Sequence, residues 1–491
     1  MNFKVNLLSA HSPVSKECTI ENKNSHYALK FIPINAPKEE QKLSRGREIS
    51  GASVVNIWNV PLPVKSENLS AVRKALGQMI ADAQSYNFET LDLYIPSWKE
   101  SFLSNESGIQ LIAETVTLAI YKFEADTPEY SFQRNDTATL KKLTLRIAET
   151  EIKDSYVASA HNGMRLGQSI NYSRYLSDLP ANVLTPDRLV NEGASRLAGK
   201  TTSRILNETQ LQNEGFGGLI AVGKGSNNPP RLGIYEYNHP DAKTTIVLVG
   251  KGVTFDTGGY SIKPKLHHNE MKYDMCGAAN VLAVIEHIAE RQWPVRIVAL
   301  IACVENMVSA NAIRPGDVYK SWNGKTIDVF NTDAEGRLIL SDILAYSKTF
   351  APDYLVDIAT LTGGASQIAG SMAAILCSNT PAEAALFKEC AKKAGERFLE
   401  LEILPEAIDD MKGQVSDLSN MHGDWSTGAP TMYAAAFLQS FVPENVPWLH
   451  LDIANMAWAG RTQGYLNAKL ANGYGARALV HWVANKCGQV P

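Results

Sequence analysis

The chain has 491 residues, of which 45% are hydrophobic and 20% are charged, and its formal net charge is -4. These values are typical of globular proteins and exclude disordered, fibrous and disulfide-dense classes. The charge balance provides no global positive field for a phosphate backbone, so it disfavours nucleic acid as a partner.

The cysteines and the N-terminus indicate the compartment. The six cysteines are scattered and form no Cys-x-x-Cys pair, a pattern typical of reduced thiols in a reducing environment. The N-terminal segment lacks the apolar stretch of about 7 to 15 residues found in signal peptides, and no run of about 18 apolar residues occurs. We therefore expect a cytoplasmic protein that is neither secreted nor membrane-spanning.

The first third alternates short β-rich runs with amphipathic helical patterns. The predicted elements are a strand at VVNIWNV, a helix near Leu69 to Tyr86, a strand at LDLYIP, a helix near Ile109 to Phe123 and a strand at KLTLRIA. A helical, polar stretch from Glu151 to about Asp178 follows. The pattern predicts a small N-terminal α/β domain, residues 1–165, that ends in a connecting helix.

Residues 166–491 are predicted to form a larger α/β domain. Apolar, β-branched runs recur and alternate with helical segments such as CGAANVLAVIEHIAERQ and LILSDILAYSKTF. The predicted strands are GGLIAVG, TTIVLVG, VRIVALIAC, YLVDIATL and LHLDIAN. The alternation predicts a central mixed, mostly parallel sheet flanked by helices.

Two segments concentrate charge directly after predicted strands. The segment from Val249 to Lys263 leaves an apolar strand and carries Lys251, Asp256 and Lys263. Open α/β sheets bind their ligands at the carboxyl ends of strands. This segment is therefore a candidate site.

The second segment, Asn331 to Arg337, follows the strand-like TIDVF. In an extended chain every second side chain points the same way. We therefore expect Asp333, Glu335 and Arg337 to face one cavity. Asp274 lies just before the helix predicted near Cys276 and projects from an element end as well.

Four carboxylates on such loops favour two cations with shared oxygen ligands, about 3.5 to 4 Å apart. Each piece alone has a simpler interpretation, because helix caps and turns commonly use aspartate. Asp274 is a possible helix cap, while the segments at Asp256 and Asp333 are possible turns. The combination is harder to explain by caps and turns than any single piece.

At these residues the sequence resembles the leucyl aminopeptidase family, the M17 metallopeptidases. The stretch NTDAEGRL from Asn331 to Leu338 matches the family signature without a substitution, and VGKGVTFDTGG from Val249 to Gly259 matches nearly as well. MKYDMCGAA, ATLTGG and HLDIA are further matches, and the resemblance covers about residues 155–491. Asn455 departs from the family, in which glycine is commoner at this position.

The resemblance implies a two-metal site. Asp256 and Glu335 would bridge two divalent ions, Asp333 would complete one ion, and the other would be completed by Lys251 and Asp274. A lysine ligand has to bind as the neutral amine. The implied metals are Mn2+ or Zn2+, with Mg2+ or Co2+ as alternatives. A water between the ions would be the nucleophile, and the ions would take up the free α-amine of a peptide substrate.

The resemblance also implies the remaining roles. Lys263 would stabilise the developing oxyanion, and Arg337 would hold a bicarbonate ion that serves as general base. The family forms homohexamers. Six residues match positions that line the family's side-chain pocket: Met271, Asn331, Thr360, Leu361, Gly363 and Ala454. Their apolar character favours leucine-like residues in the substrate.

Several alternatives stay open in the sequence. The run from Gly218 to Gly225 imitates a phosphate-binding loop, but glycine replaces its required serine or threonine. His267 and His268 lie in a polar stretch that favours a surface loop over a zinc site. Alternative functions are a scaffold or nucleic-acid-associated protein on an aminopeptidase fold, or a cysteinyl-glycine dipeptidase that uses the same residues.

Overall fold

A computed structural model describes residues 153–422, 428–458, 465–466 and 469–491; before residue 153 it describes residues 105–126 and the strands and helices bounded below. It contains two compact units. The first comprises residues 1–171 with 463–468, and the second comprises 172–462 with 469–491. The chain thus contributes to the first unit twice. The division at residue 165 that the sequence indicates stays a prediction.

The first unit contains a seven-stranded mixed sheet with the order β2-β1-β9-β6-β3-β5-β4. Its strands are β1 Lys4–Ser9, β2 Ser15–Lys16, β3 Tyr27–Pro33, β4 Arg45–Ser50, β5 Ser53–Leu62, β6 Thr90–Ile95 and β9 Lys142–Ile147, beside a separate pair, β7 Ala125–Asp126 and β8 Ser131–Phe132. The helices are α1 Leu69–Ser85, α2 Glu106–Ala119 and α3 Asp154–Asp178. The strands and helices predicted for this third of the sequence are confirmed.

Helices α1 and α2 are joined by a buried ion pair. The Arg73 guanidinium donates to both carboxylate oxygens of Glu114 at 3.1 Å. The same guanidinium lies 5.8 Å from the ring centre of Tyr465. Gly77, one helical turn after Arg73, lies very close to Tyr465. A methyl group at Gly77 would be only 2.3 Å from the Tyr465 Cα. Tyr465, from the second contribution of the chain, is therefore packed tightly on α1.

The second unit is built on an eight-stranded sheet with the order β10-β11-β13-β12-β16-β20-β17-β18. Four of its seven neighbouring pairs are parallel, including β13-β12, β12-β16 and β16-β20 in the centre. Its strands are β10 Thr202–Leu206, β11 Arg231–Asn238, β12 Thr245–Asp256, β13 Arg296–Asn306, β16 Tyr354–Ala359, β17 Ala374–Ser378, β18 Phe398–Glu400 and β20 Trp448–Asp452. The predicted mixed, mostly parallel sheet is confirmed.

Helices cover this sheet, and a small sheet of β14 Val318–Lys320, β15 Thr326–Asp328 and β19 Leu418–Ser419 accompanies it. The helices are α4 Pro186–Arg196, α5 Glu208–Asn213, α6 Gly217–Gly223, α7 Lys265–His268, α8 Cys276–Glu290, α9 Glu335–Tyr346, α10 Gly364–Ala369, α11 Pro381–Ala394, α12 Pro405–Asp409, α13 Pro430–Gln439 and α14 Ala476–Lys486. Short 3-10 turns span Met271–Tyr273 and Ser347–Phe350. Among the described residues, no helix has the length and apolarity to cross a membrane.

The central strands explain where the site lies. Strands β12 and β13 are buried along nearly their whole length, as expected for parallel strands covered on both faces. Because the central pairs are parallel, their carboxyl ends meet at one edge of the sheet. The edge carries Asp256 at the end of β12, Asn306 at the end of β13 and Asp452 at the end of β20.

The strand predicted at GGLIAVG is wrong, because residues 217–223 form helix α6. A short apolar run does not distinguish a strand from a buried helix. In this segment a residue distant in the sequence, Asp342, favours the helix. The buried carboxylate of Asp342 accepts hydrogen bonds from the backbone N–H groups of Gly218 and Leu219, at 2.7 and 3.2 Å. These are the donors that a helix N-terminus leaves without an intrahelical partner.

Candidate active site

The first charged segment places Lys251 inside the protein. Lys251 lies in β12 and is only 2% exposed. Its Nζ contacts Asp274 Oδ1 at 2.8 Å and Glu335 Oε1 at 2.9 Å, and it donates to the carbonyl of Thr360 at 2.9 Å. Burial alone would lower the pKa of Lys251, but the carboxylates of Asp274 and Glu335 outweigh it and raise this pKa above its ordinary value.

Lys263 occupies a second, more open position. Its Nζ lies 2.8 Å from Asp256 Oδ2 and also contacts Asp333. Burial opposes the charged amine here too, yet the carboxylate of Asp256, with those around it, raises the pKa of Lys263 above its ordinary range. The loop is held in place because Thr332 Oγ1 donates to the carbonyl of Gly258 at 2.7 Å.

The second charged segment is not extended, as the sequence suggested. A turn carries Asp333, and Glu335 and Arg337 lie in the first turn of α9. The charged groups still converge, because the helix starts at the site. Its first turn comes so close to β12 that a methyl group at Gly336 would lie 2.7 Å from Lys251 Nζ. The predicted convergence of Asp333 and Glu335 is therefore observed, but on a turn and a helix and not on the predicted extended chain.

Three carboxylates meet closely enough to share a cation. Asp256, Asp333 and Glu335 each offer an oxygen, and these oxygens lie within 4.8 Å of one another. Asp274 joins the cluster through Lys251. Burial, with the Asp256 carboxylate adding to it, raises the pKa of Asp333 to about 7, and burial raises the pKa of Asp274 well above its usual range. Such crowding is costly without positive charge nearby.

The donor set fits divalent ions. Asp274 Oδ2 and Glu335 Oε2 are buried and have no hydrogen-bond partner among the described residues. Buried carboxylate oxygens normally have one. Carboxylate oxygens are ligands of manganese, magnesium and zinc, and a deprotonated lysine adds a nitrogen.

Arg337 is buried beside this cluster. Its Nη1 donates to the carbonyl of Asn420 at 2.9 Å, while its Nε lacks a partner within the described part of the chain. Burial lowers the pKa of Arg337 to about 10. A buried guanidinium with a spare donor is suited to holding an anion.

Three of the six residues assigned to the side-chain pocket lie next to residues of the cluster. Thr360 Oγ1 donates to Asp274 Oδ1 at 2.9 Å, and Asn331 Oδ1 accepts from the backbone of Asp333 at 2.7 Å. Leu361 Cδ1 lies 2.8 Å from where a methyl group at Gly336 would be. The other assigned positions are Met271 at the start of the 3-10 turn before Asp274, Gly363 next to α10 and Ala454 just after β20.

Two asparagines that the sequence reading missed hold these residues. Asn306 Nδ2 donates to Asp256 Oδ1 at 2.8 Å and to the carbonyl of Thr332 at 3.0 Å. Asn420 accepts from the backbone N–H groups of residues 330 and 331. The rule that identified Asp256 also applies to Asn306, since both end central parallel strands. Asn420 follows a two-residue strand and carries no such signal.

The geometry does not support a capping role for Asp274 or a nucleophilic role for Cys276. Asp274 does not cap α8, because the N-cap residue is Met275 and makes no side-chain cap. Cys276 is buried, and burial raises the pKa of its thiol to about 12, so it is not an activated nucleophile. His267 and His268 lie in the short helix α7, not in an irregular loop.

A mixed α/β sheet whose carboxyl edge gathers four carboxylates, two lysines and an arginine has the architecture of a metal-dependent hydrolase. Comparison with known proteins narrows this class. The family described as "Cytosol aminopeptidase family, catalytic domain" matches residues 171–480. The chain belongs to this family, and it is a metal-dependent aminopeptidase that uses divalent metal ions and acts on peptides.

Individual relatives extend the match beyond the catalytic domain. A "Probable cytosol aminopeptidase" of Syntrophotalea carbinolica is 39% identical over 76% of this chain and 74% of its own length. One of Bdellovibrio bacteriovorus is 40% identical over 69% of each chain. Among solved structures, the bottromycin maturation enzyme BotP in complex with Mn has a TM-score of 0.82 and 27% identity, over 94% of this chain and 99% of that one.

These relatives do not favour the alternatives of a scaffold, a nucleic-acid-associated protein or a cysteinyl-glycine dipeptidase. The family match and the names of the relatives describe an aminopeptidase.

Proposed function

We propose that this aminopeptidase removes leucine-like residues from the N-termini of peptides, with two divalent ions held by Lys251, Asp256, Asp274, Asp333 and Glu335. The observation that carries the proposal is the buried contact of Lys251 Nζ with Asp274 and Glu335, beside carboxylate oxygens that lack hydrogen-bond partners within the described residues. When bound, the ions would polarise the scissile carbonyl and acidify a water.

The side chains of the site divide the remaining work. Lys263 is not one of the proposed ligands, so it would remain protonated and donate to the oxygen that gains negative charge in the transition state. Lys251 has to lose its proton when it becomes a ligand, so metal binding releases protons. Arg337 would hold bicarbonate with its Nε, which has no hydrogen-bond partner among the described residues, as the family resemblance implies.

The pocket supports a preference for apolar residues. Met271, Leu361 and Ala454 would contribute apolar side chains, and a methyl group at Gly363 would meet no atom of the described residues within 4 Å, so Gly363 would leave space beside them. A branched aliphatic side chain of leucine size suits such a pocket. We assign manganese or zinc as the native metal, and BotP in complex with Mn supports manganese.

We also infer a cytoplasmic location and a homohexamer. The support for the location is the name cytosol aminopeptidase carried by the relatives. The support for the hexamer is the family resemblance alone. Light scattering at micromolar concentration measures the assembly directly, and a monomeric mass would contradict it.

The experiment for the proposed function compares leucyl-glycine peptides with a free and with an acetylated N-terminus, at saturating Mn2+. We expect hydrolysis of the free peptide only, because the site binds the α-amine. The control is an alanyl peptide, which should be cleaved more slowly than the leucyl peptide. Comparable rates on the free and acetylated peptides would refute the exopeptidase site.

A further inference from the structure

The carboxylate of Asp452, at the end of β20, accepts four hydrogen bonds at the edge of the pocket. Asp452 is completely buried. Its Oδ1 accepts from the backbone N–H groups of Leu361, Thr362 and Ala454, at 3.2, 3.4 and 3.1 Å. Its Oδ2 accepts from the Thr362 hydroxyl at 2.6 Å. One side chain thus satisfies donors from two different loops.

These two loops carry four of the six residues assigned to the pocket. Residues 360–363 follow β16, and residues 453–454 follow β20. Strands β16 and β20 are parallel, with Ala359 opposite Asp452, so both loops leave the sheet at the same edge. The backbone of Ile453 donates to the carbonyl of Ala359 at 2.9 Å, which joins the loops at their base.

The far side of the first loop is held by the metal residues. Lys251 Nζ donates to the carbonyl of Thr360, and the hydroxyl of Thr360 donates to Asp274. Residues 360–362 are therefore fixed between Asp452 on one side and the proposed ligands Lys251 and Asp274 on the other. A shift of this loop would change the pocket wall.

The chemistry of this position requires an acceptor without donors. An ionised carboxylate accepts with both oxygens, whereas the amide of asparagine presents two N–H donors. In Asp452→Asn the amide nitrogen replaces one of the two oxygens. At Oδ1 it would face three backbone N–H groups, and buried donors that lose their acceptor are costly. At Oδ2 it would face the Thr362 hydroxyl, which would have to accept a hydrogen bond where it now donates one, so either orientation disturbs the contacts of the loop.

We propose that Asp452 is a positioning residue that fixes the pocket loops and thereby sets which N-terminal residue the enzyme accepts. The proposal rests on the proposed function, because it uses the pocket assigned there. Asp452 acts through residues 360–363 and 453–454, and not by contact with the reacting atoms. Its loss should therefore change substrate selectivity more than metal binding.

The test compares Asp452→Asn with a matched control, Asp342→Asn. Asp342 is also completely buried, and its carboxylate accepts three backbone N–H groups, from Gly218, Leu219 and Trp322. These donors lie outside both pocket loops. The two variants make the same carboxyl-to-amide change at similarly buried positions, so the control measures the effect of general destabilisation.

Both variants and the parent are assayed on leucyl, phenylalanyl and alanyl p-nitroanilides at saturating Mn2+, beside bound metal and melting temperature. We expect Asp452→Asn to lower the leucyl-to-alanyl ratio of kcat/KM about 10-fold, mainly through a higher KM for the leucyl substrate, with metal content unchanged. Asp342→Asn should keep the parent's ratio even where its melting temperature falls. A parent-like ratio in Asp452→Asn, or an equal change in Asp342→Asn, would overturn the proposal.

A second pair of variants decides the matter if Asp452→Asn does not fold. Thr362→Val removes the hydroxyl donor to Asp452 and should lower the leucyl-to-alanyl ratio of kcat/KM. Thr362→Ser keeps the hydroxyl and should keep the parent's ratio. A parent-like ratio in Thr362→Val also overturns the proposal. If the parent hydrolyses none of the three substrates, the proposed function itself fails, and this outcome is distinct from an active parent whose variants keep its selectivity.

Discussion

The site contains two lysines with similar partners in different settings. Lys251 lies in a central strand and its side chain is 2% exposed, whereas the side chain of Lys263 lies on a loop and is 16% exposed. Each contacts two carboxylates: Lys251 those of Asp274 and Glu335, and Lys263 those of Asp256 and Asp333.

The difference shows how backbone setting can separate the roles of like groups. Lys251 is enclosed by the carbonyl of Thr360 and by the close approach of Gly336, so no room remains for a substrate between it and its carboxylates. Lys263 has solvent access. We therefore expect Lys251, the enclosed lysine, to be a metal ligand, and Lys263, the open lysine, to contact the substrate.

The largest effect is expected when one carboxylate partner of each lysine is removed. We expect Glu335→Ala and Asp333→Ala each to lower turnover by more than about 10³-fold, because both carboxylates belong to the proposed two-metal site. The measurement is turnover at saturating substrate beside bound metal by elemental analysis. Normal turnover and metal content in both variants would rule out the two-metal assignment.

Removing the lysines themselves sharpens the comparison. We expect Lys251→Ala to weaken the binding of one ion, with excess metal restoring part of the activity. We expect Lys263→Ala to lower kcat by about 10² to 10³-fold while the metal content stays at two ions, because this lysine stabilises charge only in the transition state.

Each lysine variant is the control for the other, since both remove one cation from the same cluster. The decisive quantity is the ratio of bound metal to protein. If Lys251→Ala binds both ions as tightly as the parent protein does, Lys251 is not a ligand.

The smallest effect is expected when the hydrogen bond that holds the Asp256 carboxylate is removed. Asn306→Ala removes the side-chain hydrogen bond to Asp256 Oδ1, and we expect metal affinity to fall about 10 to 100-fold while kcat at saturating metal stays close to the parent's. Titration of the metal-free protein with Mn2+, followed by calorimetry, measures the affinity.

A matched control for this variant is Asn280→Ala. Asn280 lies in α8 and is equally buried, and its Nδ2 donates to the carbonyl of Tyr474 at 2.7 Å and not to Asp256. This variant should lose stability and keep its metal affinity. An equal loss of affinity in both variants would mean that Asn306 acts only through general stability.

The sequence was sufficient for the four central strands of the second unit's sheet, β13, β12, β16 and β20. Apolar runs longer than a turn, such as those of β12 and β13, are constrained by burial on both faces, so composition alone identifies them. Residues 217–223 show the limit, because their helix depends on the carboxylate of Asp342, more than 100 residues away. No local pattern contains that information.

The site shows the same division. Asp256 was predictable because it follows a long apolar strand, and Asp333 because it lies in a charged turn after a short one. Glu335 and Arg337 were placed on an extended chain, although they begin a helix. The role of Asp452 depends on pairing between β16 and β20, which are distant in the sequence, so its hydrogen bonds to residues 361 and 362 were not visible beforehand.

The position of Tyr465 has a practical consequence for cutting the protein into pieces. This residue comes from a short segment, residues 463–468, that belongs to the first compact unit although the chain on both sides of it belongs to the second. Expression from residue 172 onward would remove α1, and with it Arg73 and the narrow space at Gly77 that Tyr465 fills. A fragment of the catalytic unit made by one cut would therefore expose a large aromatic ring, and a soluble fragment requires a second edit that replaces residues 463–468 with a short polar linker.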